Sequence, residues 1–175
     1  HHFTLTEEAL IQYGSLAKKN PPLREEEDRQ AIIRGLADGT IDIIATDHAP
    51  HTAQEKAKPL TEAPSGIIGL ETALSLGITE LVEKKHLAMK QLLRLMSTNP
   101  AALYGLDAGY LAEGGPGDII LIDGEAETIP GQYASKACNT PLTGWKLKGR
   151  VVCTIASGQV AYGDELIGRK GRAAL

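Results

Sequence analysis

The densest group of side chains able to do chemistry is the string TDHAPH at residues 46–51. It places Asp47, His48 and His51 within five residues, so a carboxylate and two imidazoles could bind zinc or form an acid–base pair. The alternative is a capped turn, because Asp often bonds nearby backbone and exposed histidines are common. A closed zinc site needs four ligands, and no second cluster of such residues is present.

Two other segments could present groups to a ligand. In NPPLR (residues 20–24) the proline pair restrains the backbone beside Asn20, although an ordinary connector between helices explains the same residues. Ser65 and Gly66 precede a predicted helix, where backbone N–H groups can face a ligand. This pattern is weak on its own, and neither a phosphate-binding loop nor a GxGxxG string is present.

The elements that must position these residues fall into two regions. Before about residue 107, apolar spacing predicts helices over 25–37, 70–84 and 88–97, a further helix opening at Asn99-Pro100, and a buried strand over 41–45 that ends at Asp47. Residues 52–65 are predicted to form a polar loop.

After a glycine-rich stretch, strands are predicted over 118–123, 151–156 and 159–162, the last two joined as a hairpin by Ser157-Gly158. Helix, strand and polar loop in succession indicate an α/β fold, and the change of pattern divides the chain into residues 1–107 and 108–175.

Composition excludes several classes of protein. With 18 Lys and Arg against 22 Asp and Glu, the net charge of −4 does not favour binding to nucleic acid. No apolar run approaches the roughly 18 residues that span a bilayer. Cys138 and Cys153 form no metal or disulfide motif, so we expect small buried side chains in a reduced, cytoplasmic protein. The sequence begins His1-His2-Phe3 without a Met, so either the start was removed, or His1-His2 is the remnant of a tag, or the sequence is a piece of a longer protein.

Taken in order, seven strings resemble the C-terminal part of bacterial dihydroorotase of the class I type, in the amidohydrolase superfamily. The resemblance covers almost the whole chain, and TDHAPH together with the upstream NPPLR is its most specific part. The seven strings are HHFTLTEE, NPPLR, DGTIDIIATDHAPH, EAPSGIIGLETAL, LLRLMSTNPAALYGL, LAEGGPGDIILID and NTPLTGWKLKGRVVCTIASGQVAY.

The resemblance implies a fold and roles for individual residues. The fold would be the C-terminal part of a TIM-type (β/α)8 barrel in residues 1–107, followed by strands of a small β-sandwich in residues 108–175. Asp47 would ligate zinc and shuttle a proton during catalysis. Asn20 and His51 would bind substrate through their side chains, and Ser65 and Gly66 through their backbone. Ser65 departs from the family, which often has Phe there, so the resemblance supports no role for its side chain.

The same resemblance implies where the remaining zinc ligands lie, which reaction is catalysed and which partners are bound. The remaining zinc ligands would precede residue 1, and His1 and His2 would not bind metal. The activity would be reversible hydrolysis of dihydroorotate to N-carbamoyl-L-aspartate in pyrimidine (UMP) synthesis. The implied partners are the small-molecule substrate, a second copy in a homodimer and aspartate transcarbamoylase. Two alternatives stay open: another cyclic-amide hydrolase of the hydantoinase or allantoinase kind, and a non-catalytic dihydroorotase-like subunit.

Overall fold

The computed structural model describes residues 1–163, which form a helical region followed by an antiparallel sheet. The helices are α1 (Ala9–Tyr13), α2 (Glu26–Asp38), α3 (Ala53–Lys56), α4 (Ala73–Gly77), α5 (Met89–Leu93) and α6 (Asn99–Tyr104). A 3₁₀ turn over Gly14–Ala17 follows α1, and π-helical turns over Ile78–Val82 and Arg94–Thr98 extend α4 and α5. No helix among residues 1–163 is long and apolar enough to cross a membrane.

Helix α2 confirms the prediction for residues 25–37 to within one residue at each end. Its first turn holds Glu26, Glu27 and Asp28, whose carboxylates suit the positive end of the helix dipole. It ends at Gly39, which takes the left-handed conformation (φ 85°) that glycine adopts without steric cost. Ile33 and Leu36 are buried on its inner face.

The two other predicted helices are confirmed with changes in length. The first covers Ala73 to Val82 and is shorter than predicted. The second runs without interruption from Met89 through the Arg94–Thr98 turn into α6, so Asn99-Pro100 continues a helix and does not open a separate one. Both bury their apolar faces in one core, formed by Phe3, Ile33, Leu36, Leu76, Ile78, Leu81, Leu87, Leu92, Leu95, Leu142 and Leu147. Leu142 and Leu147 join that core from beyond residue 107.

The sheet has three antiparallel strands in the order β1 (Ile119–Thr128), β2 (Leu147–Ala156) and β3 (Gln159–Gly163). All three predicted strands are therefore present, and β1 and β2 are longer than predicted. The hairpin at Ser157 and Gly158 is confirmed. Both residues have positive φ, 50° and 76°, as a two-residue turn between twisted strands requires.

Three expectations need correction. Residues 41–45 form no strand, because the segment has no ladder partner among the described residues: Ile44 N–H donates to Leu95 O, which lies in a helical turn (2.9 Å). The predicted loop over 52–65 contains α3, whose N-terminus is capped by Thr52 and Glu55. Cys153 is buried as expected, but Cys138, on the irregular segment between β1 and β2, is exposed.

Candidate active site

Asp47 is the second residue of the TDHAPH loop, which follows the irregular segment 41–45. Its backbone is left-handed (φ 46°), a conformation that Asp and Asn tolerate better than most residues. One carboxylate oxygen, Oδ2, lies 2.6 Å from Nζ of Lys19. The Lys19 side chain is 3% exposed and that of Asp47 is 62% exposed, so the pair joins a buried ammonium to a largely solvent-exposed carboxylate.

Asn20 follows Lys19 directly and is exposed, with a cis peptide bond to Pro21. The backbone of the same segment contacts residues 64–69, here called the glycine loop, because Gly66 N–H donates to Lys18 O (2.9 Å). Residues 18–20 therefore lie between Asp47 on one side and Gly66 on the other. Lys19 and Asp47 are 28 residues apart in the sequence and Lys18 and Gly66 are 48 apart, so three separate segments meet here.

His51 lies at the end of the TDHAPH loop, just before α3. Its Nε2 is 3.0 Å from Ser65 O, so the ring donates to the backbone of the neighbouring loop when that nitrogen is protonated. Its Nδ1 is 3.9 Å from a carboxylate oxygen of Glu55. Glu55 is held by the N–H and hydroxyl groups of Thr52 (2.8 and 2.9 Å), which lower its pKa.

Gly66 packs so closely that a side chain does not fit. A Cβ placed there would meet Ala49 Cβ at 2.7 Å and His51 Nε2 at 2.8 Å, and the backbone φ is 149°. Ser65 contributes its backbone oxygen to His51. The structure thus brings Asp47, His51, Ser65 and Gly66 into one network of contacts with residues 18 and 19, and Asn20 adjoins this network in the sequence.

Two lysines hold the carbonyl groups of the loop that leads to Gly66. Lys18 Nζ donates to Leu60 O and Ala63 O (2.7 and 2.6 Å), and Lys56 Nζ donates to Pro64 O and Gly66 O (both 3.0 Å). Lys56 is buried, and burial, followed by the charge of Lys18, lowers its pKa. The carbonyl oxygens are neutral, so these contacts do not cancel the positive charges of Lys18 and Lys56. Those charges would attract a negatively charged ligand.

Reasoning from the sequence missed Lys19, Lys56 and Asn139. A lysine in a polar loop is typical of solvated surface, and nothing local distinguishes the buried Lys19 and Lys56. Asn139 is 3% exposed and hydrogen-bonds the site from 88 residues beyond His51. Only a three-dimensional structure reveals that contact.

The described residues do not by themselves fit a zinc ion. A catalytic zinc site takes three protein ligands and a structural one takes four. Among residues 1–163, no group of three His, Cys, Asp or Glu side chains is placed to hold a metal. Asp47 supplies one carboxylate, and the Lys19 ammonium already contacts one of its oxygens.

We expect Gly66→Ala to destabilise the protein by roughly 1–3 kcal/mol, because the new methyl group forces a strained backbone and displaces the His51 ring. Chemical denaturation measures the loss. Gly131→Ala is the matched control: nothing lies within 4 Å of its Cβ, and we expect a change within about 0.5 kcal/mol. Equal stability of the two variants would contradict the close packing at Gly66.

Comparison with known proteins gives one consistent family. The family model described as "Amidohydrolase family" matches residues 7–161. The chain is 54% identical to a dihydroorotase of Clostridioides difficile (strain 630) over 93% of its own length and 53% identical to one of Streptococcus thermophilus (strain CNRZ 1066) over 92%. It spans only 38% and 39% of these two relatives.

Solved structures agree on the architecture. L-hydantoinase (dihydropyrimidinase) from Arthrobacter aurescens superposes with a TM-score of 0.84 at 28% sequence identity, covering 93% of this chain and 38% of that one. Dihydropyrimidinase from Brevibacillus agri NCHU1002 gives 0.83 at 23% identity, with the same coverage of both chains. The second likeness concerns the fold alone.

Proposed function

This chain belongs to the amidohydrolase family, with the α/β fold of that family, and we propose that it is a portion of a zinc-dependent dihydroorotase. The reaction is reversible hydrolysis of dihydroorotate to N-carbamoyl-L-aspartate in pyrimidine synthesis. The 52–55% identity to dihydroorotases supports this substrate over the rings that hydantoinases open, since the hydantoinase structures share 20–28%.

The observation that carries the proposal is the contact among three separate segments, residues 18–20, 46–51 and 64–69. Residues 18–20 contact both Asp47 and Gly66, and His51 contacts Ser65. Each segment contributes a residue to which the resemblance assigns a role. A non-catalytic subunit would have no need to keep this arrangement, which argues against that alternative.

Asp47 is the proposed proton carrier. Hydrolysis requires water to attack the ring carbonyl carbon, the C–N bond to break and the departing nitrogen to receive a proton. A carboxylate beside the attacking water takes its proton and then passes that proton to the nitrogen. The exposed side of Asp47 gives a substrate access to this base.

Asn20 and His51 are the proposed side-chain contacts to substrate. Dihydroorotate has a carboxylate, and a charge-assisted hydrogen bond from an amide or imidazole N–H is a strong contact for such a group. The backbone of Ser65 and Gly66 is proposed to contact the ring amide. Lys18 and Lys56 favour an anionic substrate through their charge.

Zinc is proposed with Asp47 as one ligand and with the others on a segment preceding residue 1. When bound, such an ion makes water acidic near neutral pH and polarises a carbonyl group. The residues described here supply too few ligands to hold it alone.

The remaining proposals concern the surroundings of the site. We propose that β1–β3 form one layer of a small β-sandwich in residues 108–175, because Ile120 and Tyr162, which share one face of the sheet through their common partner Thr154, are exposed and a second layer would cover them. Residues 1–107 would then be the barrel portion. The resemblance further supports a cytoplasmic homodimer and an association with aspartate transcarbamoylase.

A substrate comparison tests the function. The full-length enzyme that contains residues 1–175 should open dihydroorotate with a kcat/KM at least about 100-fold above its values for hydantoin and allantoin, because buried polar groups left unpaired by a wrong ring are costly. Ring opening is followed by ultraviolet absorbance. Faster opening of hydantoin or allantoin would support the alternative enzyme class, and no turnover of any ring would support the non-catalytic subunit.

A further inference from the structure

Asn139 connects the sheet region to the candidate active site. It lies on the irregular segment between β1 and β2, and only 3% of its surface is exposed. Its side chain reaches the TDHAPH loop and the glycine loop, which are 88 and 73 residues away along the chain.

The amide of Asn139 makes three hydrogen bonds, all to backbone groups of the two loops. Oδ1 accepts from His51 N–H (2.9 Å), while Nδ2 donates to Ala49 O (2.9 Å) and to Gly66 O (3.1 Å). The Asn139 backbone oxygen also accepts from Ile68 N–H (3.1 Å). Both hydrogens of the side-chain amide are therefore used.

No other side chain of this size meets these needs. Aspartate keeps the acceptor for His51 N–H but turns a carboxylate toward two carbonyl oxygens. Leucine matches the volume and leaves one N–H and one or more C=O groups without their partner, which is costly at a buried position. Rotating the amide by 180° would set like groups against each other at all three contacts.

We propose that Asn139 is a positioning residue that fixes the His51 backbone against Gly66 and thereby sets where His51 meets the substrate. Three other contacts also join the loops: Ala49 N–H donates to Ile67 O (3.1 Å), the His51 ring bonds Ser65 O, and Gly69 N–H donates to His48 Nδ1 (3.1 Å). None of these holds the His51 backbone nitrogen, whereas Asn139 does. The proposal rests on the proposed function, in which His51 and Gly66 contact dihydroorotate.

The test compares Asn139→Leu and Asn139→Asp with a matched control in the full-length enzyme. Thr140→Val is the control, because Thr140 is the adjacent buried polar residue and its hydroxyl accepts from Leu142 N–H, away from both loops. The measurements are hydrogen exchange at the His51 amide, melting temperature, and KM and kcat for dihydroorotate.

For Asn139→Leu we expect His51 amide exchange and KM to rise by about tenfold or more each, with kcat changing by less than about threefold. Asn139→Asp should keep the His51 amide protected and still raise KM. The KM increase should lessen at low pH, where the protonated carboxyl group can donate one hydrogen bond. Thr140→Val should lower the melting temperature without changing exchange at His51 or KM.

Wild-type exchange at His51 in a folded Asn139→Leu variant would overturn the positioning role and leave the proposed function intact. Equal effects of Thr140→Val and Asn139→Leu on KM would also overturn it, since the effect would then be general destabilisation. An unchanged KM in His51→Ala would instead count against the proposed function.

Discussion

In the full-length enzyme we expect Asp47→Asn to lower kcat by about 10²–10⁴-fold, the usual contribution of a positioned acid–base group. The amide keeps the size of the side chain and one oxygen, but it has no basic site to take a proton. Asparagine also tolerates the left-handed backbone at this position (φ 46°), so the fold should survive the change.

Stability measurements separate this catalytic loss from a structural one. The Asn oxygen can still accept from the buried Lys19 ammonium, whereas Asp47→Ala removes that partner and strains the backbone. We therefore expect a lower melting temperature for Asp47→Ala than for Asp47→Asn. If Asp47 only capped a turn, its loss would cost about 1 kcal/mol of stability and leave kcat unchanged. A folded Asp47→Asn enzyme with near-normal kcat would defeat the catalytic assignment.

The purified 175-residue chain should show no hydrolysis of dihydroorotate, even with added zinc. Residues 1–163 hold no group of three ligands for a metal, and the proposed reaction needs a metal to make water reactive near neutral pH. Product formation is measured beside a zinc-only blank, with the full-length enzyme as the positive control. Turnover above the blank would mean that the segment holds a complete site.

Local signals in the sequence mark Asp47 and His51, which lie in one short string of residues able to do chemistry. An ordinary connector explains NPPLR and the Ser65-Gly66 pattern is weak on its own, so Asn20 and Gly66 follow from the resemblance. The helix at 25–37 and the hairpin at Ser157-Gly158 were also predicted from local signals: their caps and turn residues are adjacent in the sequence. The roles of the site residues stay predictions.

Features that depend on distant partners could not be predicted. The strand expected over 41–45 is absent because a strand needs a neighbour to pair with, and an apolar run does not reveal whether one is present. Lys19 and Lys56 are buried because Asp47 and backbone carbonyl groups face them. Asn139 acts across 88 residues, a separation at which no local pattern marks a contact.

The most direct test of the central claim measures whether His51 recognises the carboxylate of dihydroorotate. It compares kcat/KM for dihydroorotate with kcat/KM for dihydrouracil, which has the same ring without the carboxylate, in wild-type enzyme and in His51→Ala. We expect wild-type enzyme to prefer dihydroorotate and His51→Ala to lose roughly 10- to 100-fold of that preference, because a hydrogen bond to a charged group is lost for one substrate only. Equal losses for both substrates, or a wild-type preference for dihydrouracil, would contradict the assignment of this site to dihydroorotate.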